Sequence, residues 1–141
     1  MDANELASRV ANAMLAAEGT GPAWDIRIEE ARARYARLSM NVRGDMLNGH
    51  GIVHGGMVFA LADTAFAYAC NGHNEKAVAA QASIVFLGSA SEGETLVAEA
   101  EEIATAGRSG VTRVAVRTTD GRAIAEFTGY SRRIGGAVVD V

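Results

Sequence analysis

The run Met57–Cys70 is apolar on every face a helix can present, and it carries a single acidic group, Asp63. Alanine recurs at 60, 62, 65, 67 and 69, Met57 and Leu61 also favour helix, and no Pro interrupts the run. With Gly55-Gly56 in front and Asn71 behind, the pattern predicts a central helix over 55–71. At about 1.5 Å per residue, Met57–Cys70 spans on the order of 20 Å. A helix apolar all round lies either inside a protein or inside a membrane. A membrane span needs about 20 apolar residues, and this run is shorter and contains Asp63. The rest of the chain must therefore supply strands that wrap a buried helix.

Asp63 is the anomaly of that helix. A carboxylate there is costly unless it is paired, solvated or used, and Asp is a poor interior helix former. One reading is a partly exposed side chain, or one satisfied at a subunit contact. The other is a catalytic carboxylate. The preceding loop, Asn48-Gly49-His50-Gly51-Ile52-Val53-His54-Gly55-Gly56, favours the second. The first N–H groups of a helix lack intrahelical partners and sit at the positive end of its dipole. Gly55 and Gly56 let a substrate oxygen approach those groups, which makes an oxyanion site. Asn48 and His54 are placed to orient a water or the loop itself.

Spacing decides how these parts combine. Asp63 lies eight residues after Gly55, about 12 Å further along the axis. One reacting carbon cannot touch both groups of one chain. Two such helices packed antiparallel across a two-fold axis bring each N-terminus to the other copy's Asp63, giving two sites per dimer.

The pattern Asn48-x5-His54-Gly55-Gly56-x6-Asp63 resembles the hotdog-fold acyl-CoA thioesterases. Thr64-Ala65-Phe66-Ala67-Tyr68-Ala69-Cys70-Asn71 and Ser131-Arg132-Arg133-Ile134-Gly135-Gly136 look like the phenylacetate-degradation (PaaI-type) branch. The resemblance implies that the Gly55 N–H polarises a thioester carbonyl while Asp63 of the neighbouring subunit attacks it or activates water. It implies that Asn48 holds that water or Asp63, and that His54 supports the loop. Relatives often add a Ser or Thr near the carboxylate. Ala67 and Ala79 stand where one is expected, which leaves Thr64 or Ser83 as substitutes, or a site that needs no hydroxyl. The implied substrate is an aromatic acyl-CoA of the phenylacetyl or hydroxyphenylacetyl type, with a short or medium acyl-CoA as the alternative. No cofactor is implied beyond the CoA of the substrate itself. Self-association as a dimer, and by family habit a dimer of dimers, follows.

The remaining sequence predicts one α+β domain over 1–141. Leu6, Val10, Met14 and Ala17 recur at helical spacing, so 4–18 reads as an amphipathic N-terminal helix, capped by Asp2 or Asn4 and ended by Gly19-Thr20-Gly21-Pro22. The preferred reading is a helix that covers the sheet or its edge, and a border of the acyl pocket is the further reading. Alternation predicts strands over 24–29 and 31–42, then 77–87, 95–105, 111–119 and 123–133. Asp120-Gly121 is a hairpin signal. Two strands, a helix and four strands make an antiparallel sheet wrapped around the helix, the hotdog layout. Met46 and Leu47, just before Asn48, suit an acyl pocket or plain packing equally.

Hydrophobic residues make up 49% of the chain, and 13 basic residues face 17 acidic ones. With no basic run, nucleic acid is excluded as a partner. An anionic CoA then needs local cations, and Arg108, Arg132 and Arg133 near turns suit phosphates; surface pairing is the competing reading. Cys70, alone, makes no disulfide and reads as a small core residue. His50 and His73 have no metal-ligand spacing, so no metal site is expected. His73 reads as exposed. No apolar leader follows Met1-Asp2, so the expectation is a cytoplasmic protein with no membrane association. Two rival classes remain. Hotdog hydratases pair a His with an acid in a proline-containing entry, whereas the one Pro here is Pro22. A non-catalytic acyl-CoA-binding protein has no need of Asp63.

Overall fold

The computed structural model describes residues Met1–Val141. The elements run α1 (Ala3–Ala17), α2 (Thr20–Ala23), β1 (Arg27–Arg32), β2 (Tyr35–Asn41), a 3-10 turn (Gly44–Met46), α3 (Gly55–Asn71), β3 (Ala77–Phe86), β4 (Thr95–Ala106), β5 (Ser109–Thr118) and β6 (Ala123–Arg133). The strands make one sheet in the order β1-β2-β4-β5-β6-β3, and every neighbouring pair is antiparallel. α3 crosses one face of it, touching every strand. This is the hotdog layout with its extra N-terminal helix.

The strands form where apolar residues alternate. In β4 the inward Leu96, Ala98 and Ala100 are fully buried, and in β5 Val114 and Val116 are too. They pack against Leu61, Ala65, Phe66 and Ala69 of α3 within one core cluster. α1 starts at a capping box: the Glu5 N–H donates to Asp2 Oδ1 at 2.8 Å, and the Asp2 N–H donates to Glu5 Oε2 at 3.2 Å. Its Ala7, Val10 and Ala11 are buried. The turn at Asp120-Gly121 forms as expected, with Gly121 at φ 89°.

Several local expectations change. The first hairpin turns at Ala33-Arg34, with Arg34 at φ 64°, so the strands are 27–32 and 35–41 rather than 24–29 and 31–42. Neither turn residue is one of the usual turn formers, and Arg34 accepts a left-handed backbone because the tertiary pairing of β1 with β2 demands it. The segment after α1 does more than end it, since Thr20–Ala23 forms the short helix α2 with Gly19 as its N-cap. The C-terminal tail is tied down: Asn74 Oδ1 accepts from the Val138 and Val139 N–H groups at 3.0 and 2.9 Å.

The central helix is not enclosed on all sides. Val58, Leu61, Ala62, Ala65 and Phe66 face the sheet and are buried, whereas Phe59, Ala60, Asp63 and Ala67 are only half-buried. These four form one stripe at helical spacing. One chain thus leaves part of an all-apolar helix uncovered.

Candidate active site

Two short devices hold the loop before α3. Asn48 Oδ1 accepts from the His50 N–H at 2.9 Å and the Ile52 N–H at 3.3 Å, while the Asn48 N–H donates to Ile52 O at 2.8 Å. Gly51, at φ 77°, makes the reversal between them. His54 then caps the helix: its Nδ1 accepts from the Gly56 N–H at 2.8 Å, which leaves the ring proton on Nε2. His54 therefore supports the loop by a defined bond. The Asn48 carbonyl oxygen serves its own loop, so only its Nδ2 is left to face a ligand.

The same cap divides the two glycines. The Gly56 N–H is committed to His54, which removes it as an oxyanion donor. The Gly55 N–H has no acceptor within the chain. The ring of Phe86 lies against Gly55, where a Cβ would come within 3.1 Å of Phe86 Cζ. The free donor thus sits at the positive end of α3 under an aromatic edge.

Asp63 faces a cleft of about 570 Å³ between α3 and the α1–α2 segment. Its walls include Met14, Trp24, Phe59, Tyr68 and the backbone of Gly56. No side chain or backbone donor in the chain bonds the Asp63 carboxylate, and burial without a partner pushes its carboxyl above the ordinary carboxylate range. A carboxylate so placed is a stronger base than a solvated one. Thr64 also lines the cleft, but its hydroxyl is spent on Ala60 O at 2.7 Å.

Other expected residues lie elsewhere. Met46 is 2% exposed and belongs to the core, and Leu47 packs against that core. Neither lines the cleft beside Asp63. Arg108 stands at the apex of the β4–β5 turn, and Ser109 pairs with Arg132. Arg132 borders a shallow pocket of about 260 Å³ with Tyr130 and Ser131. Arg133 pairs with Glu75 at 3.4 Å, whereas Arg108 and Arg132 make no ion pair. His73, expected at the surface, is held at 2.5 Å from Oε1 of Glu102, which is itself 4% exposed. Cys70 is a core residue, its thiol pushed up to about 12 by burial and then by the nearby Glu102. Sequence reasoning misses one wall of the cleft, where Glu18, Thr20 and Tyr68 meet. α1 was expected to border the pocket, yet nothing in the local pattern marks Glu18 as inward-facing.

A thioester fits this arrangement: the carbonyl needs one strong donor, and a thiolate leaves without a strong acid. Residues 50–125 match the thioesterase superfamily, and the chain belongs to that superfamily as a thioester hydrolase of the hotdog fold. Within it, the chain stands with the PaaI type. It is 39% identical over 128 residues to the acyl-coenzyme A thioesterase PaaI of Escherichia coli (strain K12), covering 91% of each chain. The solved structure of the Escherichia coli PaaI protein superposes with a TM-score of 0.94 at 38% identity, over 96% of this chain and 99% of that one. A putative esterase of Archaeoglobus fulgidus is 38% identical over 110 residues, 78% of this chain and 71% of its own.

Proposed function

We propose that the protein hydrolyses an aromatic acyl-CoA, of the phenylacetyl or hydroxyphenylacetyl type, to the free acid and CoA, with the carboxylate supplied across a dimer interface. The observation that carries this reading is the unpartnered Asp63 carboxylate in the wall of an aromatic cleft. Trp24 and Phe59 offer flat apolar surface to a ring. The free Gly55 N–H lies about 12 Å along α3 from Asp63, so a second copy must bring its own Gly55 to this Asp63.

One feature supports that second copy. β3 is an edge strand of ten residues with Val78, Val85 and Phe86 exposed, a long unblocked edge of the kind monomers avoid. Val85→Lys is expected to place a charge at that seam, shift the protein toward monomer in light scattering, and reduce turnover with it. A variant that stays dimeric counts against β3 as the seam.

With the carbonyl oxygen on the Gly55 N–H, the reaction has two balanced routes. In the first, Asp63 takes a proton from water, the resulting hydroxide adds to the carbonyl carbon, and the C–S bond breaks to release the CoA thiolate. In the second, Asp63 Oδ attacks and expels the thiolate, and water opens the mixed anhydride. Single-turnover hydrolysis in heavy-oxygen water tests the second route: label appearing in Asp63 identifies an anhydride opened at the Asp63 carbonyl. Asn48, through its Nδ2, orients the water. Arg132, beside the shallow pocket, and Arg108, at the β4–β5 turn, are both free of ion pairs and take the CoA phosphates. Free-thiol release from a panel of acyl-CoAs tests the substrate. Turnover of phenylacetyl thioesters above straight-chain ones is expected, and the reverse order replaces the aromatic reading by a short- or medium-chain one.

A further inference from the structure

Phe86 stands against the first residue of α3, yet much of its surface is open. Its backbone is held on both sides. Phe86 ends the pairing of β3 with β6, opposite Ala125, and the Leu87 and Gly88 N–H groups both donate to Ile124 O, at 2.8 and 3.2 Å. Gly88 completes that clamp, because a Cβ there would come within 2.5 Å of Ala123 O. Ala82 and Ile84 of β3 pack on the core, and Phe86 follows them at the two-residue period that keeps to one face of a strand. The ring therefore points toward α3. Its tip meets Gly55, where a Cβ would lie 3.1 Å from Phe86 Cζ, 3.3 Å from Cε1 and 3.6 Å from Cε2. Even so, the residue is 52% exposed.

One reading makes Phe86 one more apolar residue of an exposed edge, since Val85 and Leu87 beside it are exposed too. The two-residue period sends those two to the other face, however, and Phe86 supplies all three of the atoms nearest to the Cβ position of Gly55. That helix start holds a single free donor. His54 Nδ1 takes the Gly56 N–H at 2.8 Å, and the Gly55 N–H has no acceptor in the chain. A lone donor open to water exchanges its bond with solvent and polarises a carbonyl weakly. The same donor with water excluded acts through a lower dielectric and gains strength. A ring edge of carbon, which forms no strong hydrogen bond of its own, suits that task.

We infer that Phe86 is a positioning residue of the hydrolysis: its ring walls the Gly55 N–H off from water and seats the thioester carbonyl on that one donor. The inference rests on the proposed function in taking the Gly55 N–H as the donor to the carbonyl. It is independent of which acyl group the cleft holds.

Phe86→Ala is expected to lower kcat by on the order of 10-fold with KM changed little, a smaller loss than the roughly 10²–10³ that removal of an oxyanion donor brings. Phe86→Leu, which keeps an apolar wall, is expected to restore most of that loss. Light scattering on both variants follows assembly, and a loss of turnover that comes only with dissociation overturns the role and makes Phe86 a seam residue. The decisive measurement is the infrared carbonyl stretch of phenylacetyl-CoA and of hexanoyl-CoA, each labelled with heavy carbon at the thioester carbonyl and bound to protein carrying Asp63→Asn. With Phe86 in place, the stretch is expected to lie below that of the free thioester. Adding Phe86→Ala is expected to bring it most of the way back and to broaden it, whereas Phe86→Leu leaves it low. A merely structural Phe86 changes how much thioester binds, not where the bound carbonyl absorbs. A lowered stretch that survives Phe86→Ala overturns the role of Phe86 and leaves the Gly55 donor standing. No lowering in any of these proteins overturns the donor, and the role of Phe86 with it.

Discussion

Asp63→Ala is expected to lower kcat by a factor on the order of 10²–10⁴, the ordinary worth of a positioned carboxylate base, while the protein remains folded and self-associated. Asp63→Asn, which keeps the size and removes the charge, is expected to be nearly as inactive. The side chain bonds to no group in its own chain, so removing it leaves no orphaned donor behind. Steady-state thiol release, read beside light scattering for assembly, checks this. An Asp63→Ala protein as active as the wild type removes Asp63 from the mechanism and returns it to the reading of a partly exposed, structurally incidental acid.

The pH dependence of both activity and stability follows from the same burial. The Asp63 carboxyl lies above its ordinary range because burial disfavours the charged form and nothing in the chain compensates. The acid limb of kcat/KM is therefore expected above the usual carboxylate value of about 3.9, with activity falling as pH drops through the raised value. Stability moves in the opposite sense. A group whose value is raised by folding contributes stability that is fully present below its unfolded value and lost as pH rises through the folded one. Asp63→Asn is accordingly expected to melt higher than wild type at neutral pH, with the gap closing in acid. A gap that widens in acid means that the assembled protein supplies the carboxylate with a partner.

The second large effect is on folding. Gly129 in β6 lies under the ring of Phe66, and a Cβ there would come within 2.7 to 2.8 Å of three ring atoms. The ring cannot simply retreat. Phe66 is 2% exposed and packs on Phe127 with ring centroids 5.7 Å apart, and Phe127 packs on Phe59 at 5.3 Å. Gly129→Ala is expected to cost about 1–3 kcal/mol through overpacking, lowering Tm by roughly 5–10 °C. Because Phe59 forms part of the cleft wall, displacement along this aromatic row is also expected to raise KM. Gly19→Ala, where nothing lies within 4 Å of a new Cβ, is the control and is expected to leave Tm almost unchanged. Equal melting of the two variants means that Phe66 has room to move.

Much of the architecture is legible in the chain itself. The all-apolar run with one acid predicts a central helix, and α3 covers Gly55–Asn71. Alternation predicts the last four strands to within a residue or two, and Asp120-Gly121 marks its hairpin. The first hairpin is not legible, because Ala33-Arg34 carries no turn chemistry of its own. Periodicity reports which residues are apolar, not which strand lies at an edge, so β3 reads like its neighbours until the sheet order is known. The cap at His54 is foreshadowed only as loop support. Its consequence, that Gly55 keeps a free N–H and Gly56 does not, depends on which way the imidazole turns.

What the sequence determined by itself is the local grammar: a Gly-rich loop, a helix apolar all round, a carboxylate eight residues past Gly55, and strands of matching period. These are set by steric and hydrophobic preferences that act between near neighbours. Only the tertiary structure decided the contacts that join distant segments. Tyr68 meets Glu18 from 50 residues away, His73 meets Glu102 across 29, and α3 is left with one stripe uncovered. Such pairs carry no periodic signature, because each depends on how two elements pack. The cleft, its two carboxylates and the uncovered stripe of α3 are therefore products of packing, where burial and unpaired hydrogen-bonding groups, rather than local propensity, set the free energy.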